Sequence, residues 1–441
     1  MNSKFLNLFY WIFLLSFFLL NCLLKINISY FSIKAFSFHE YGDVFMSSVR
    51  VFHEAKNSVF NLESIYFFKP IFNTINPALF ILVTQSFIYL NIDVVFLQIL
   101  STFFYLFGIF FYYKWVAIFF SSEKIAKLAT FLLIISPNII FFSAQIAENY
   151  FNFFFVNLAI LATLLYKKNN NSNYIIILFF SLFFIYFNYW WFSISITLFS
   201  ILLLKSKNNN KIVHYILIFF LLFHLIWFSY VLNLFTGDNI FSYLTSILKN
   251  RIINFDQNQT DFFYIIKSII TYPFYVDHRI RTMNGIGLFE ILFLFLYLRF
   301  YKSKKEYKYL LFILISLSWY FFFPKHTLIH HFSGIFSFFM IIPIFSYYIF
   351  SVYKSNLKYK NFFFFFFLII CISVDFYKIN YFYDNIFNSL HDFRKVITSR
   401  CAKKEAQFVT IEDLSKDFIR NDKYQISNLQ ILNKKINCNF Y

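Results

Sequence analysis

Four short polar stretches hold the side chains able to do chemistry in this otherwise apolar chain. In His39-Glu40-Tyr41-Gly42-Asp43, the acids Glu40 and Asp43 stand three apart and would share a face on a helical turn. A second acid, Glu148, follows Ser136-Pro137, Ser143 and Gln145. A bilayer tolerates such carboxylates only outside its core or along a wet cavity, so they point to chemistry at one membrane face. The other two stretches are cationic. Asp277-His278-Arg279-Ile280-Arg281 precedes Asn284-Gly285, and Pro324-Lys325-His326-Thr327 leads into His330-His331-Phe332-Ser333-Gly334. Arginines, a lysine and histidines at a membrane face suit a phosphate or pyrophosphate. Each stretch has a plainer alternative. Glu40 and Asp43 can cap a solvated loop helix or pair with Arg50 and Lys56. Glu148 can sit in headgroup water, and the cations can contact anionic headgroups or snorkel to the interface. Zinc is poorly supported, because the histidines form one local cluster without a defined acid partner.

The elements that must position these residues are membrane helices. Of 441 residues, 60% are hydrophobic, 75 are Phe and only 14% are charged, with a mean hydropathy of +0.62. That composition cannot clothe a water-soluble core. The net charge of +18 does not argue for nucleic acid. The lysines fall in short knots between apolar runs, at 167–168, 205–211, 302–308 and 354–360, which is the positive-inside pattern.

Apolar runs long enough to span fall at 5–24, 92–118, 124–141, 150–166, 174–187, 191–204, 212–235, 285–301, 308–323, 332–350 and 361–376. The first is read as an uncleaved helix, since no small-x-small site follows it. Placing every lysine knot in the cytoplasm leaves 25–91, the surroundings of Glu148, 236–284, 324–331 and the tail outside. That parity requires 77–91 to be re-entrant or interfacial. It yields about eleven spans, with the amino terminus inside and the carboxyl terminus outside. The expected fold is therefore an all-α polytopic membrane protein. Residues 174–204 form a hairpin in this scheme, although one long tilted span is also compatible. Residues 377–441, of mixed charge, form a small extracytoplasmic appendage. Cys22 and Cys371 lie in apolar runs; Cys401 and Cys438 lie in the tail and can pair if it is exported.

With these residues in place, the chain resembles the GT-C superfamily of integral-membrane glycosyltransferases. Glu40-Tyr41-Gly42-Asp43 is similar to the acidic motif of that superfamily's first outer loop. Lys69-Pro70 resembles the Lys-Pro of its aminoarabinose- and mannosyltransferase branch. Ser136-Pro137, Ser143 and Glu148 resemble the second outer loop of that branch. Residues 324–334 are similar to the Lys-x-Thr-His-His-Phe-Gly pattern of the arabinosyltransferase branch, with two extra residues. Glu-x-x-Asp stands in place of the usual Asp-Glu or Asp-x-Asp, and Phe68 stands where the aminoarabinose branch has Glu.

The resemblance implies a GT-C-like transmembrane domain over 1–376, in a bacterial cytoplasmic (inner) membrane, with an active site facing the extracytoplasmic side. It implies a polyprenyl-phosphate sugar as donor and a glycan, lipid or protein as acceptor. Asp43 becomes the general base, and Glu40 or Glu148 orients the acceptor or holds a divalent cation, Mg or Mn, if one is used. Lys69, Arg279, Arg281, Lys325, His326, His330 and His331 would receive the donor phosphate. Two other classes fit the composition: a transporter or flippase for a lipid-linked saccharide, and a non-catalytic protein of polysaccharide assembly. A transporter would place polar or broken helices at mid-membrane, for which Asn188 and Asn233 are the candidates.

Overall fold

The computed structural model describes residues 3–33, 83, 86, 90, 94–136, 139–140, 143–144, 149–188, 190–205, 210–235, 342–347, 349–350, 362, 365–366, 368–370, 372–377, 379–380, 402, 408–409 and 436–437. Seven helices account for most of them: α1 (Ser3–Ile33), α2 (Val94–Phe120), α3 (Glu123–Ile134), α4 (Asn149–Asn169), α5 (Asn173–Asn188), α6 (Trp190–Leu204) and α7 (Asn210–Phe235). Three are long and apolar enough to cross a membrane, over Asn7–Ile26, Phe96–Phe120 and Phe151–Asn169. In the tail, β1 (Phe408–Val409) pairs antiparallel with β2 (Ile436–Asn437).

The connections follow from local chemistry. Ser122 caps α3, its hydroxyl accepting from the Ile125 amide, and Glu123 complements the helix dipole in the first turn. The run expected as one span at 124–141 is instead broken after Ile134. Ser136 donates its hydroxyl to the Leu133 carbonyl, and its Oγ accepts from the Ile139 amide at 3.4 Å. Ser136 thus ends one helix and caps the next turn, and the following Pro137 is the residue type favoured at a first helical position. Between α4 and α5 the asparagine knot makes the reversal. Asn170 adopts φ 52°, and the Asn171 side chain accepts from the Asn173 amide at 2.9 Å.

Side-chain pairs give the direction of each helix. Tyr10 on α1 donates to the Lys127 carbonyl near the start of α3, whereas Asn21 and Lys25 reach Ile140 and Ser143 beyond its end. α1 and α3 are therefore parallel. α2 opposes α1: Tyr113 near its end meets Trp11 near the start of α1. It runs parallel to α4, with Tyr105 stacked on Phe153 and Trp115 bonded to Asn157. Asn188 bonds Asn152, so α5 opposes α4. Tyr186 and Thr197 hydroxyls lie 2.5 Å apart. A continuous helix would separate two residues eleven positions apart by roughly 16 Å, so α5 and α6 form a hairpin rather than one tilted span. Phe179 and Phe183 on α5 pack on Phe219 and Phe223 of α7, so these two run parallel.

α4 is the central helix, with 72% of its apolar window buried against 28% for α1. Gly108 permits its contact with α2, since a Cβ there would lie 2.5 Å from the Phe153 ring. Small residues serve this purpose where helices meet without a water-driven hydrophobic force. The outer faces of α1, α2 and α7 expose Phe9, Phe13, Phe103, Phe107, Leu221 and Leu225, as a lipid-facing surface requires.

Candidate functional site

Consecutive helices alternate in direction, so the bundle has two unlike ends. At one end lie Lys114, Lys124, Lys167, Lys168, Lys205 and Lys211, near the helix termini that the charge pattern assigns to the cytoplasm. At the opposite end, among the described residues, Asn21, Lys25, Gln98, Ser101, Asn152 and Asn188 are buried in the bundle. Of these, Asn21, Lys25 and Gln98 converge on the segment that follows α3.

Asn21 and Lys25 are one turn apart on α1 and therefore share a face. Both are buried, Lys25 completely. Lys25 Nζ donates to the Ser143 carbonyl and lies 3.1 Å from Ser143 Oγ. Asn21 Nδ2 donates to the same Oγ at 3.3 Å, with a longer contact of 3.5 Å to the Ile140 carbonyl. From α2, Gln98 Nε2 donates to the Ala144 carbonyl at 3.2 Å, while Thr102 donates to the Gln98 carbonyl at 2.9 Å. Ala144 holds φ 56°, a backbone state a non-glycine residue adopts only at a cost. Tertiary bonds from α1 and α2 fix the backbone on both sides of that residue.

Burying a polar amine is expensive unless hydrogen bonds replace its water, and the Ser143 carbonyl and hydroxyl do so here. On the next helix, Asn188 Nδ2 donates to Asn152 Oδ1 at 3.0 Å. Buried nearby in sequence, Gln98 Oε1, Ser101 Oγ and Asn152 Nδ2 have no hydrogen-bond partner among the described residues. The cluster therefore has polar capacity beyond what it uses to anchor the 140–144 segment.

Of the residues singled out from the sequence, Asp43, Glu40, Glu148, Lys69, Arg279, Arg281, Lys325, His326, His330 and His331 lie outside the described residues. Ser136 and Ser143, which share the Glu148 motif, are described, and both shape the backbone. Among the described residues no group of three His, Cys, Asp or Glu side chains could hold a metal. Asn188 is at the end of α5 rather than within it.

Sequence reasoning missed Lys25 and Gln98. Lys25 falls one residue beyond the apolar run at 5–24 and was assigned to the loop; its spacing from Asn21 was the available signal. Gln98 is a lone amide inside an apolar run. Asp375, within the helical residues 372–377, is another buried polar group that an apolar pattern concealed.

No family model matches this chain, and no curated protein matches it significantly.

Proposed function

We propose that the chain is a polytopic membrane glycosyltransferase of the GT-C kind, moving a sugar from a polyprenyl-phosphate donor to a glycan, lipid or protein acceptor at the extracytoplasmic face. The carrying observation is the anchored segment before α4. Within the stretch whose sequence carries the Ser136-Pro137, Ser143 and Glu148 pattern, Ser143 and Ala144 are tied down by Lys25, Asn21 and Gln98. It lies at the end of the bundle away from the described lysine knots. An acid set beside such a segment would be held in a fixed place, as acid–base work and substrate orientation require.

The transfer exchanges one bond at the anomeric carbon. Asp43 accepts the proton of an acceptor hydroxyl, whose oxygen forms the new bond to that carbon. The bond from the anomeric carbon to the phosphate oxygen breaks, and polyprenyl phosphate departs with the electron pair. Lys69, Arg279, Arg281, Lys325, His326, His330 and His331 offset its charge. Glu40 and Glu148 orient the acceptor, and they are the residues that would hold Mg2+ or Mn2+ where a cation takes part. The Phe-rich spans receive the isoprenoid tail.

The test is release of free polyprenyl phosphate from a panel of polyprenyl-phosphate sugars, by purified protein in lipid, with wild type beside Asp43→Asn. The proposal expects release from at least one donor and a fall of at least a hundredfold in Asp43→Asn. Absence of release from every donor by folded protein overturns it. Full activity in Asp43→Asn removes Asp43 from the role of base.

A further inference from the structure

At the lysine-rich end, α2, α3, α4 and α6 enclose an open groove of about 1000 Å³, large enough for a small-molecule head group. Among the described residues Lys114, Lys167 and Lys168 line it, with Glu123 as the one acid. Lys167 donates to the Leu203 carbonyl at 2.8 Å, capping the end of α6 while keeping its charge in the groove. Lys114 lies over the Phe110 ring, 5.3 Å from its centroid, and 6.0 Å from that of Tyr113. Leu164, Leu165 and Leu203 form the apolar side of the groove.

The surface leading to the groove decides what fits it. Phe103, Phe107 and Phe110 are half exposed on α2, and with Lys114 they follow the spacing of one helical face. This apolar stripe therefore runs along the helix and ends at a cation beside the groove. A soluble anion would use the lysines and leave the stripe bare. A glycerophospholipid with an anionic head group uses both, laying an acyl chain on the phenylalanines and its phosphate between Lys114 and Lys168. Basic pockets between helices at a membrane surface suit such head groups.

We infer that this groove binds the head group of an anionic phospholipid in the leaflet on the lysine side, with Lys114 and Lys168 as its phosphate contacts. The site is at the opposite end from the anchored segment before α4 and does not depend on the transferase reading.

The test is native mass spectrometry of the full chain in neutral detergent, loaded with phosphatidylglycerol, with phosphatidylcholine, or with glycerol phosphate as the soluble arm. Phosphatidylglycerol should be retained at least fivefold over phosphatidylcholine, and glycerol phosphate should not displace it. Lys114→Gln with Lys168→Gln should lower retention at least fivefold. Lys205→Gln with Lys211→Gln, which removes the same charge outside the groove lining, should leave it unchanged. Equal losses in the two double variants would reduce the effect to diffuse surface charge and overturn the site. Displacement by glycerol phosphate would overturn the lipid assignment in favour of a soluble phosphate ester. Unchanged thermal unfolding of both variants shows that retention reads binding rather than misfolding.

Discussion

Lysine does opposite work at the two ends of this bundle. At one end Lys114, Lys124, Lys167, Lys168, Lys205 and Lys211 are exposed at helix termini, where an ammonium reaches water at little cost. At the other end Lys25 is fully buried and gives its protons to Ser143. In a bilayer the first group would set orientation, because several cations resist transfer through it. The second shapes a segment, because a buried amine dictates where its hydrogen-bond acceptors must stand. Position relative to the apolar run, rather than residue type, assigns the task.

The comparison breaks most completely if orientation is wrong. Asn171→Cys, in the exposed turn between α4 and α5 and in a chain whose native Cys22, Cys371, Cys401 and Cys438 are replaced by serine, should resist a membrane-impermeant maleimide in intact cells and label fully after permeabilisation. Labelling in intact cells would reverse the two faces. Next in size is Lys25→Met, which strips the Ser143 carbonyl and hydroxyl of their buried donor. Stability should fall by about 1–3 kcal/mol in thermal or denaturant unfolding, the cost of leaving buried polar groups unmet. If the transferase reading holds, turnover should fall about a hundredfold through misplacement of the following acid. A similar change at the lysine end, Lys168→Met, should leave both quantities near wild type.

Two smaller effects test the packing that joins the ends. Gly108→Leu must push the Phe153 ring aside and should cost about 1–3 kcal/mol, read as a lower unfolding midpoint. Trp115→Phe removes the 2.8 Å bond to Asn157 between α2 and α4. The hydrogen-bond part of its cost should be about 0.6 kcal/mol, as for bonds between membrane helices, with a further cost for the space left by the buried indole, read as a lower unfolding midpoint.

Much of the helical layout was legible because apolar runs ended at side chains with distinctive turn chemistry. The asparagines at 169–171 and Ser122 each stand where a helix begins or ends, and the expected runs at 150–166, 174–187, 191–204 and 212–235 agree with α4 to α7 within a few residues. The segment 77–91, read as re-entrant or interfacial, lies outside the described residues except for 83, 86 and 90. The run at 124–141 was read as one helix because hydropathy passes smoothly through Ser136-Pro137, whereas the cap hydrogen bonds interrupt it. The anchoring cluster was harder to see. Asn21, Lys25, Gln98 and Ser143 are far apart in sequence and meet only through the crossing of α1, α2 and the segment after α3. Hydropathy averages out single polar residues, and tertiary hydrogen bonds have no local period.

The brevity of α5 has a consequence for the surrounding lipid. Its 16 residues make an apolar wall about 24 Å tall, with Ile176 and Phe180 facing outward, against the roughly 30 Å of a bilayer's hydrocarbon core. If the hairpin spans a bilayer, the leaflets would draw together by roughly 6 Å along that flank, while the 27 residues of α2 would impose no such dimple on theirs. A bilayer of shorter acyl chains relieves that mismatch, so the thickness of the host membrane itself becomes a control on how firmly the hairpin is held.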